Sequence, residues 1–146
     1  GFEANGGYLL GSEVKLNSKF LSALPTRDAL LPVFMLLIQQ QSISELLSEL
    51  PQRFTGSDRL QNFSREKSVS LINKLKNDAA PFLKRLGVEG EYEINTTDGL
   101  RITLSNGDIV HLRPSGNAPE LRCYAEAKSA ARALDYVQSV LKLIVS

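Results

Sequence analysis

Tyr92-Glu93-Ile94-Asn95-Thr96-Thr97-Asp98-Gly99-Leu100-Arg101-Ile102-Thr103-Leu104-Ser105-Asn106-Gly107-Asp108 is the stretch that decides the fold. Tyr92 and Ile94 alternate with Glu91 and Glu93, and Leu100, Ile102 and Leu104 alternate with Arg101, Thr103 and Ser105. A period of two puts one set on a buried face and the other on an open one, as in a half-buried strand. Asp98-Gly99 and Asn106-Gly107 are hairpin signals, because these pairs accept the positive φ of tight turns. Towards the C-terminus the pattern predicts a third strand from about Ile109 to Arg113 and a fourth from about Leu121 to Glu126. A closing helix follows, with Ala130, Leu134, Val137, Leu141 and Ile144 as its inner face. Towards the N-terminus, from Ser64, the residues Val69, Ile72, Leu75, Ala79 and Leu83 recur at three and four positions and predict a helix. Pro81 breaks or kinks it and Gly87 ends it. Helix, four mostly antiparallel strands, helix is an α+β layer pair.

Further upstream, Tyr8 to Gly11 reads as a short strand and Pro25-Thr26-Arg27-Asp28 as a helix-starting turn, with Thr26 or Asp28 as the cap. Ala29 to Gln41 is apolar on nearly every side, which predicts a helix buried between layers, and Pro32 falls in its first turn, where a missing N–H costs least. Ser44 to Leu47 continues as a short amphipathic helix ended by Pro51. Residues 51–63 are polar, lack a clear period and include Gly56, Ser57 and Asp58, so they read as a linker or hinge. The expected organisation is residues 1–50, the linker at 51–63, and a second unit at 64–146.

The chain has 146 residues and a formal charge of +1, so no global charge calls for nucleic acid or an anionic membrane. The strands also lack the aromatic stacking residues of an RNA reader. No apolar run reaches the roughly 18 residues that span a bilayer. One cysteine, Cys123, excludes an intramolecular disulfide, and one histidine, His111, leaves no Cys/His zinc cluster; both fit a reducing cytoplasm. The chain opens inside a glycine-rich loop, Gly1 to Gly7, an opening that predicts a piece of a longer protein.

The chemically telling segment is Arg113-Pro114-Ser115-Gly116-Asn117-Ala118-Pro119-Glu120-Leu121-Arg122. It joins two predicted strands, so the sheet holds its ends. Two prolines limit its backbone freedom and lower the entropy lost on closing around a ligand. Gly116 allows close approach of backbone to ligand, and successive N–H groups in such a turn form an anion-binding concavity. Ser115 and Asn117 add side-chain donors, while Arg113 and Arg122 bracket the loop with guanidinium forks suited to phosphate oxygens. On chemistry alone, a proline-rich hairpin with two surface arginines is an equal alternative. His111 lies two residues from Arg113, hence on the same strand face, and reads as an ordinary strand histidine.

These residues resemble the α-D-phosphohexomutase superfamily, whose last domain carries a loop close to Arg-Pro-Ser-Gly-Thr-Glu-Pro followed shortly by Arg. The Asn117-Ala118 variant resembles the bacterial phosphomannomutase branch. Glu3-Ala4-Asn5-Gly6-Gly7 is similar to the family's sugar loop, with Asn5 where serine is frequent. In the family that glutamate accepts hydrogen bonds from two adjacent sugar hydroxyls. Arg27-Asp28 before an apolar helix, and Asp98-Gly99-Leu100-Arg101, resemble the end of the third domain and a hairpin of the fourth.

The resemblance implies that residues 1–50 are the tail of an α/β third domain. It implies that residues 64–146 are a fourth domain with a four-stranded, TATA-box-binding-protein-like sheet. It implies a reversible mutase interconverting mannose 6-phosphate and mannose 1-phosphate through a hexose 1,6-bisphosphate, with Mg2+ in the complete enzyme. Glu3 and Asn5 would bind sugar, and Arg113, Ser115, Gly116, Asn117 and Arg122 the phosphate that is not reacting. The family's phosphoserine loop and its aspartate-rich magnesium loop have no counterpart here, so no catalytic residue and no metal ligand is expected in this chain, which should be inactive without the domains that carry them. A stand-alone sugar-phosphate-binding module and a phosphoglucomutase are the alternatives; neither a nucleic acid nor a membrane is an expected partner.

Overall fold

The structure, a computed structural model, describes residues 1–2 and 7–146, which divide into two compact units, Gly1–Pro51 and Gln52–Ser146. Glu3 and Asn5, the expected sugar contacts, lie outside the described residues.

In the first unit β1 (Tyr8–Leu10) pairs antiparallel with β4 (Leu24–Asp28), and β2 (Val14–Leu16) with β3 (Lys19–Leu21). Asp28 starts helix α1 (Leu30–Leu37): its Oδ1 accepts from the N–H of Leu30 at 2.8 Å and of Leu31 at 3.3 Å, so Asp28 rather than Thr26 is the cap. The expectation that this helix is buried does not hold. None of its residues is buried, and Leu37 is 68% exposed. It is also shorter than its apolar run, since Gln40 turns to φ +56° and breaks the helical path. Ser42 caps α2 (Ile43–Glu49) with a reciprocal box, its Oγ accepting from the Glu45 N–H while the Glu45 carboxylate accepts from the Ser42 N–H.

The second unit holds the hydrophobic core. Its elements are β5 (Phe54–Gln61), α3 (Arg65–Asn77), α4 (Ala80–Arg85), β6 (Tyr92–Asn95), β7 (Leu100–Leu104), β8 (Ile109–Pro114), β9 (Glu120–Ala127) and α5 (Ala130–Val145). The sheet has five strands in the order β5-β9-β8-β7-β6, every neighbouring pair antiparallel. This corrects the four-strand expectation. The segment 51–63, read as a linker, is largely the edge strand β5, paired with β9 from Phe54↔Ala127 to Gln61↔Glu120. An edge strand buries little, so its sequence lacks the alternation that marks β7; only Gly56 and Leu60 are even partly covered.

Alternation on the inner strands is regular. Leu100, Ile102 and Leu104 of β7, Val110 and Leu112 of β8, and Leu121, Cys123, Ala125 and Ala127 of β9 are buried beneath the helices. Helix α5 lies against β5 and β9, and α3 against β8 and β9. The buried face of α5 is Ala133, Tyr136, Val137, Val140 and Leu141, with Leu134 exposed. The expected stripe was therefore rotated by about one residue, because Tyr136 is held inward by a polar partner. On α3 it is Ser68 and Leu75 that are buried, not Val69. Pro81 stands in the first turn of α4, after Asp78 has closed α3, and Gly87 (φ +71°) follows α4.

A buried carboxylate ties the β7–β8 turn to α5. Asp108 is 1% exposed; its Oδ2 accepts from Arg132 Nε at 2.7 Å, Asn106 Nδ2 at 2.9 Å and Tyr136 Oη at 3.2 Å. Burial pushes its carboxyl up, but the bonds from Arg132, Asn106 and Tyr136 outweigh that and hold it below the usual aspartate range. Among the described residues no helix is long and apolar enough to cross a membrane.

Candidate functional site

The helices cover one face of the five-stranded sheet. The other face carries the alternate residues of β7, β8, β9 and β5, and the cross-strand register arranges them in rows. One row is Arg101, His111, Tyr124 and Ser57, from Arg101↔His111, His111↔Tyr124 and Ser57↔Tyr124. The next row is Arg113, Arg122 and Arg59, from Arg113↔Arg122 and Arg59↔Arg122. Three guanidinium groups thus stand abreast on adjacent strands, with about 5 Å between opposing Cα atoms. Like charges directly opposite one another destabilise a sheet.

Two carboxylates partly neutralise the row. Asp98, from the β6–β7 turn, receives Arg113 Nε at 2.9 Å. Glu120, at the start of β9, stands 3.5 Å from Arg59 Nε and 3.8 Å from Arg122 Nε. All three arginines reach solvent, so each pair is a surface pair worth about 0–1 kcal/mol and is readily exchanged for a stronger anion.

The loop between β8 and β9 begins where the row ends. It is braced by the Ser115 N–H donating to the Glu120 carbonyl at 2.9 Å, the Glu120 N–H to the Ala118 carbonyl at 2.8 Å, and the Phe63 N–H to the Pro119 carbonyl at 2.8 Å. Ser115 is only 7% exposed, and its Oγ accepts from the Asn117 N–H at 3.4 Å. Ser115 is therefore as much a brace of the turn as a donor; its hydroxyl proton is still available to a ligand. With Ser115, Asn117 and Glu120 bonded internally and two prolines lacking an N–H, the backbone donors left over among the described loop residues are those of Gly116 and Ala118. Gly116, with no atom within 4 Å of where a Cβ would stand, leaves the loop open on its outer side.

The structure thus brings Arg113, Ser115, Gly116, Asn117 and Arg122 to one end of the sheet. It adds Arg59, which sequence reasoning missed because it stood in the supposed linker. The available signal was the alternation of Thr55, Ser57, Arg59 and Gln61 as an open face. His111 also turns to this surface: its Nε2 meets the Asp98 carbonyl oxygen, and its ring lies 5.8 Å from that of Tyr124. Among the described residues no three His, Cys, Asp or Glu side chains converge as metal ligands would.

The family model for the "Phosphoglucomutase/phosphomannomutase, C-terminal domain" matches residues 61–143. The chain belongs to this family. It is 55% identical to a phosphomannomutase of Salmonella muenchen over its whole length, and 42% identical to a phosphomannomutase of Sinorhizobium fredii over 87% of it. It is 29% identical to a phosphoglucosamine mutase of Frankia alni over 95% of its length. The chain spans 31%, 28% and 27% of the length of those three relatives.

Proposed function

We propose that this chain is the phosphate-gripping end of a phosphomannomutase, an isomerase that interconverts mannose 6-phosphate and mannose 1-phosphate through a hexose 1,6-bisphosphate. The observation that carries the reading is the pairing of Arg113 with Arg122 at the foot of a braced loop that keeps the Gly116 and Ala118 N–H groups unspent. A phosphoryl dianion seated there takes guanidinium forks from the sheet and N–H donors from the turn. Phosphoryl transfer depends on positioning and charge neutralisation, and this loop supplies both to the phosphate that is not reacting. Because the sugar turns over between half-reactions, the grip has to accept either phosphate. Arginines on long stems and a small open turn tolerate that change of pose.

Glu3 and Asn5 are assigned to the sugar hydroxyls, since a carboxylate accepts from two neighbouring hydroxyls at once. The phosphoserine and Mg2+ are assigned to the remaining part of the enzyme. On this reading the chain alone would bind without turning over. The apolar residues that α1 leaves exposed are the surface on which that remaining part packs in one soluble, cytoplasmic protein. That the relatives at 55% and 42% identity are phosphomannomutases by name supports reading mannose phosphate, rather than glucose phosphate, as the substrate.

The test is Arg113→Ala in the complete enzyme. Loss of a charge-assisted phosphate contact, worth roughly 1.5–3 kcal/mol, lowers kcat/KM by at least about tenfold. Unchanged kinetics would remove this loop from the site.

A further inference from the structure

We propose that Arg59 is a third phosphate-binding residue, and that Glu120 is the internal counter-anion it releases when the phosphoryl group arrives. The inference rests on the phosphate reading above and adds to it a residue from outside the loop.

Arg59 is on β5, on the far side of β9 from Arg113, and directly opposite Arg122. Its Cα is about 5 Å from that of Arg122 and about 10 Å from that of Arg113 by ordinary strand spacing. Extended arginine side chains from the two outer strands can therefore meet on one phosphoryl group above Arg122. Arg59 is not held by burial, since half of its side chain is exposed. Among the described residues its ion-pair partner is Glu120, at 3.5 Å, and a shallow recess lined by Ser57, Asp58, Arg59, Arg122 and Tyr124 opens beside it.

Glu120 differs from its partners in being largely covered, with 14% of its side chain exposed. It stands between two arginines and matches neither with a short bond, at 3.5 and 3.8 Å. Its backbone belongs to the loop, accepting from Ser115 through its carbonyl and donating to Ala118. The carboxylate thus occupies the place of an anion between Arg59 and Arg122 while the main chain of the same residue fixes the turn. A dianionic phosphate, with three oxygens for the two forks, replaces a single carboxylate that is stretched between them. Glu120 keeps the Arg59 and Arg122 charges from repelling in the free enzyme, and weakens phosphate binding by competing for the same donors.

Two substitutions with opposite signs test this in the complete enzyme, read by KM and kcat for mannose 6-phosphate and by inhibition with inorganic phosphate. Arg59→Ala raises KM and the phosphate inhibition constant about three- to tenfold and leaves kcat within about twofold, and Arg59→Lys recovers part of the loss. Glu120→Gln, which keeps the backbone bonds and removes the charge, lowers the phosphate inhibition constant by about twofold or more. Wild-type constants for Arg59→Ala beside an impaired Arg113→Ala would overturn the inference and leave the site intact. Wild-type constants for both would overturn the site and the inference together. Weaker phosphate binding in Glu120→Gln would make Glu120 a support of the arginines rather than their competitor, and would overturn the release step.

Discussion

Gly99 is the residue whose replacement reports most sharply on how the sheet presents the loop. It stands at φ +79° in the turn before β7, and a Cβ built on it lies 2.3 Å from the Leu112 carbonyl oxygen and 3.0 Å from the Arg113 Cα. Both atoms are main chain, so no rotamer change relieves the contact; β8 or the turn has to move by about 1 Å. Gly107 is the natural control. It has φ +82° in the turn after β7, and nothing lies within 4 Å of its Cβ position. Alanine at Gly107 carries the left-handed strain alone, about 1–2 kcal/mol. Alanine at Gly99 carries the same strain plus an overpacking cost of about 1–3 kcal/mol, about 2–5 kcal/mol altogether. Urea unfolding with a common slope gives both values, since a midpoint shift at fixed slope is a stability change. The contact also pushes on the root of Arg113, so Gly99→Ala weakens sugar-phosphate binding and Gly107→Ala does not. Equal destabilisation by the two substitutions, to within about 0.5 kcal/mol, would refute the claim that Gly99 is pressed against β8.

Other outcomes follow from the same geometry. Asp108→Asn costs about 1.5–3 kcal/mol near pH 7, because the amide keeps one acceptor oxygen but loses the buried negative charge that holds Arg132. The Asp108 carboxyl is held below its usual value in the folded state, so its contribution is present above about pH 4 and is lost as pH falls through the lowered value; the gap between wild type and Asp108→Asn in acid-unfolding curves narrows below that point. Burial, helped by Asp58, pushes the Cys123 thiol up to about 12, so it resists thiol reagents at pH 8 until the protein unfolds; reaction at the rate of a free thiol in the native state would contradict that. Ser129→Ala removes the Oγ that accepts from the Arg132 N–H at the start of α5 and lowers the urea-derived stability by about 1 kcal/mol.

Much of the second unit was legible in the sequence because burial wrote itself into residue type. Strands β7 and β9 are covered on one face only, so apolar and polar residues alternate, and the Asp98-Gly99 and Asn106-Gly107 pairs mark the turns between strands. The Asn106-Gly107 turn needs only Gly107 at positive φ, with the Gly107 N–H bonded to Leu104 and the Leu104 N–H to Asp108, which is a three-residue loop rather than a two-residue one. Strand β5 was not legible for the opposite reason: at an edge, its residues answer to solvent more than to the core, and Arg59 was passed over with it. The phase of α5 was misjudged because Tyr136 turns inward to bond Asp108, a pairing across 28 residues that no local pattern reveals. The loop from Arg113 to Arg122 was legible as a unit because its prolines, glycine and flanking arginines are contiguous. The abreast placement of Arg113, Arg122 and Arg59 is a property of strand register and could be read only from the folded sheet.

Backbone amide shifts of the complete enzyme, recorded while mannose 6-phosphate and then mannose are titrated in, bear most directly on the claim that the β8–β9 turn receives a phosphoryl group. The expected result is that the phosphosugar moves the Gly116 and Ala118 amides and the guanidinium signals of Arg113 and Arg122, whereas mannose leaves them in place. Movement elsewhere in the protein with these signals unshifted by the phosphosugar would contradict the claim.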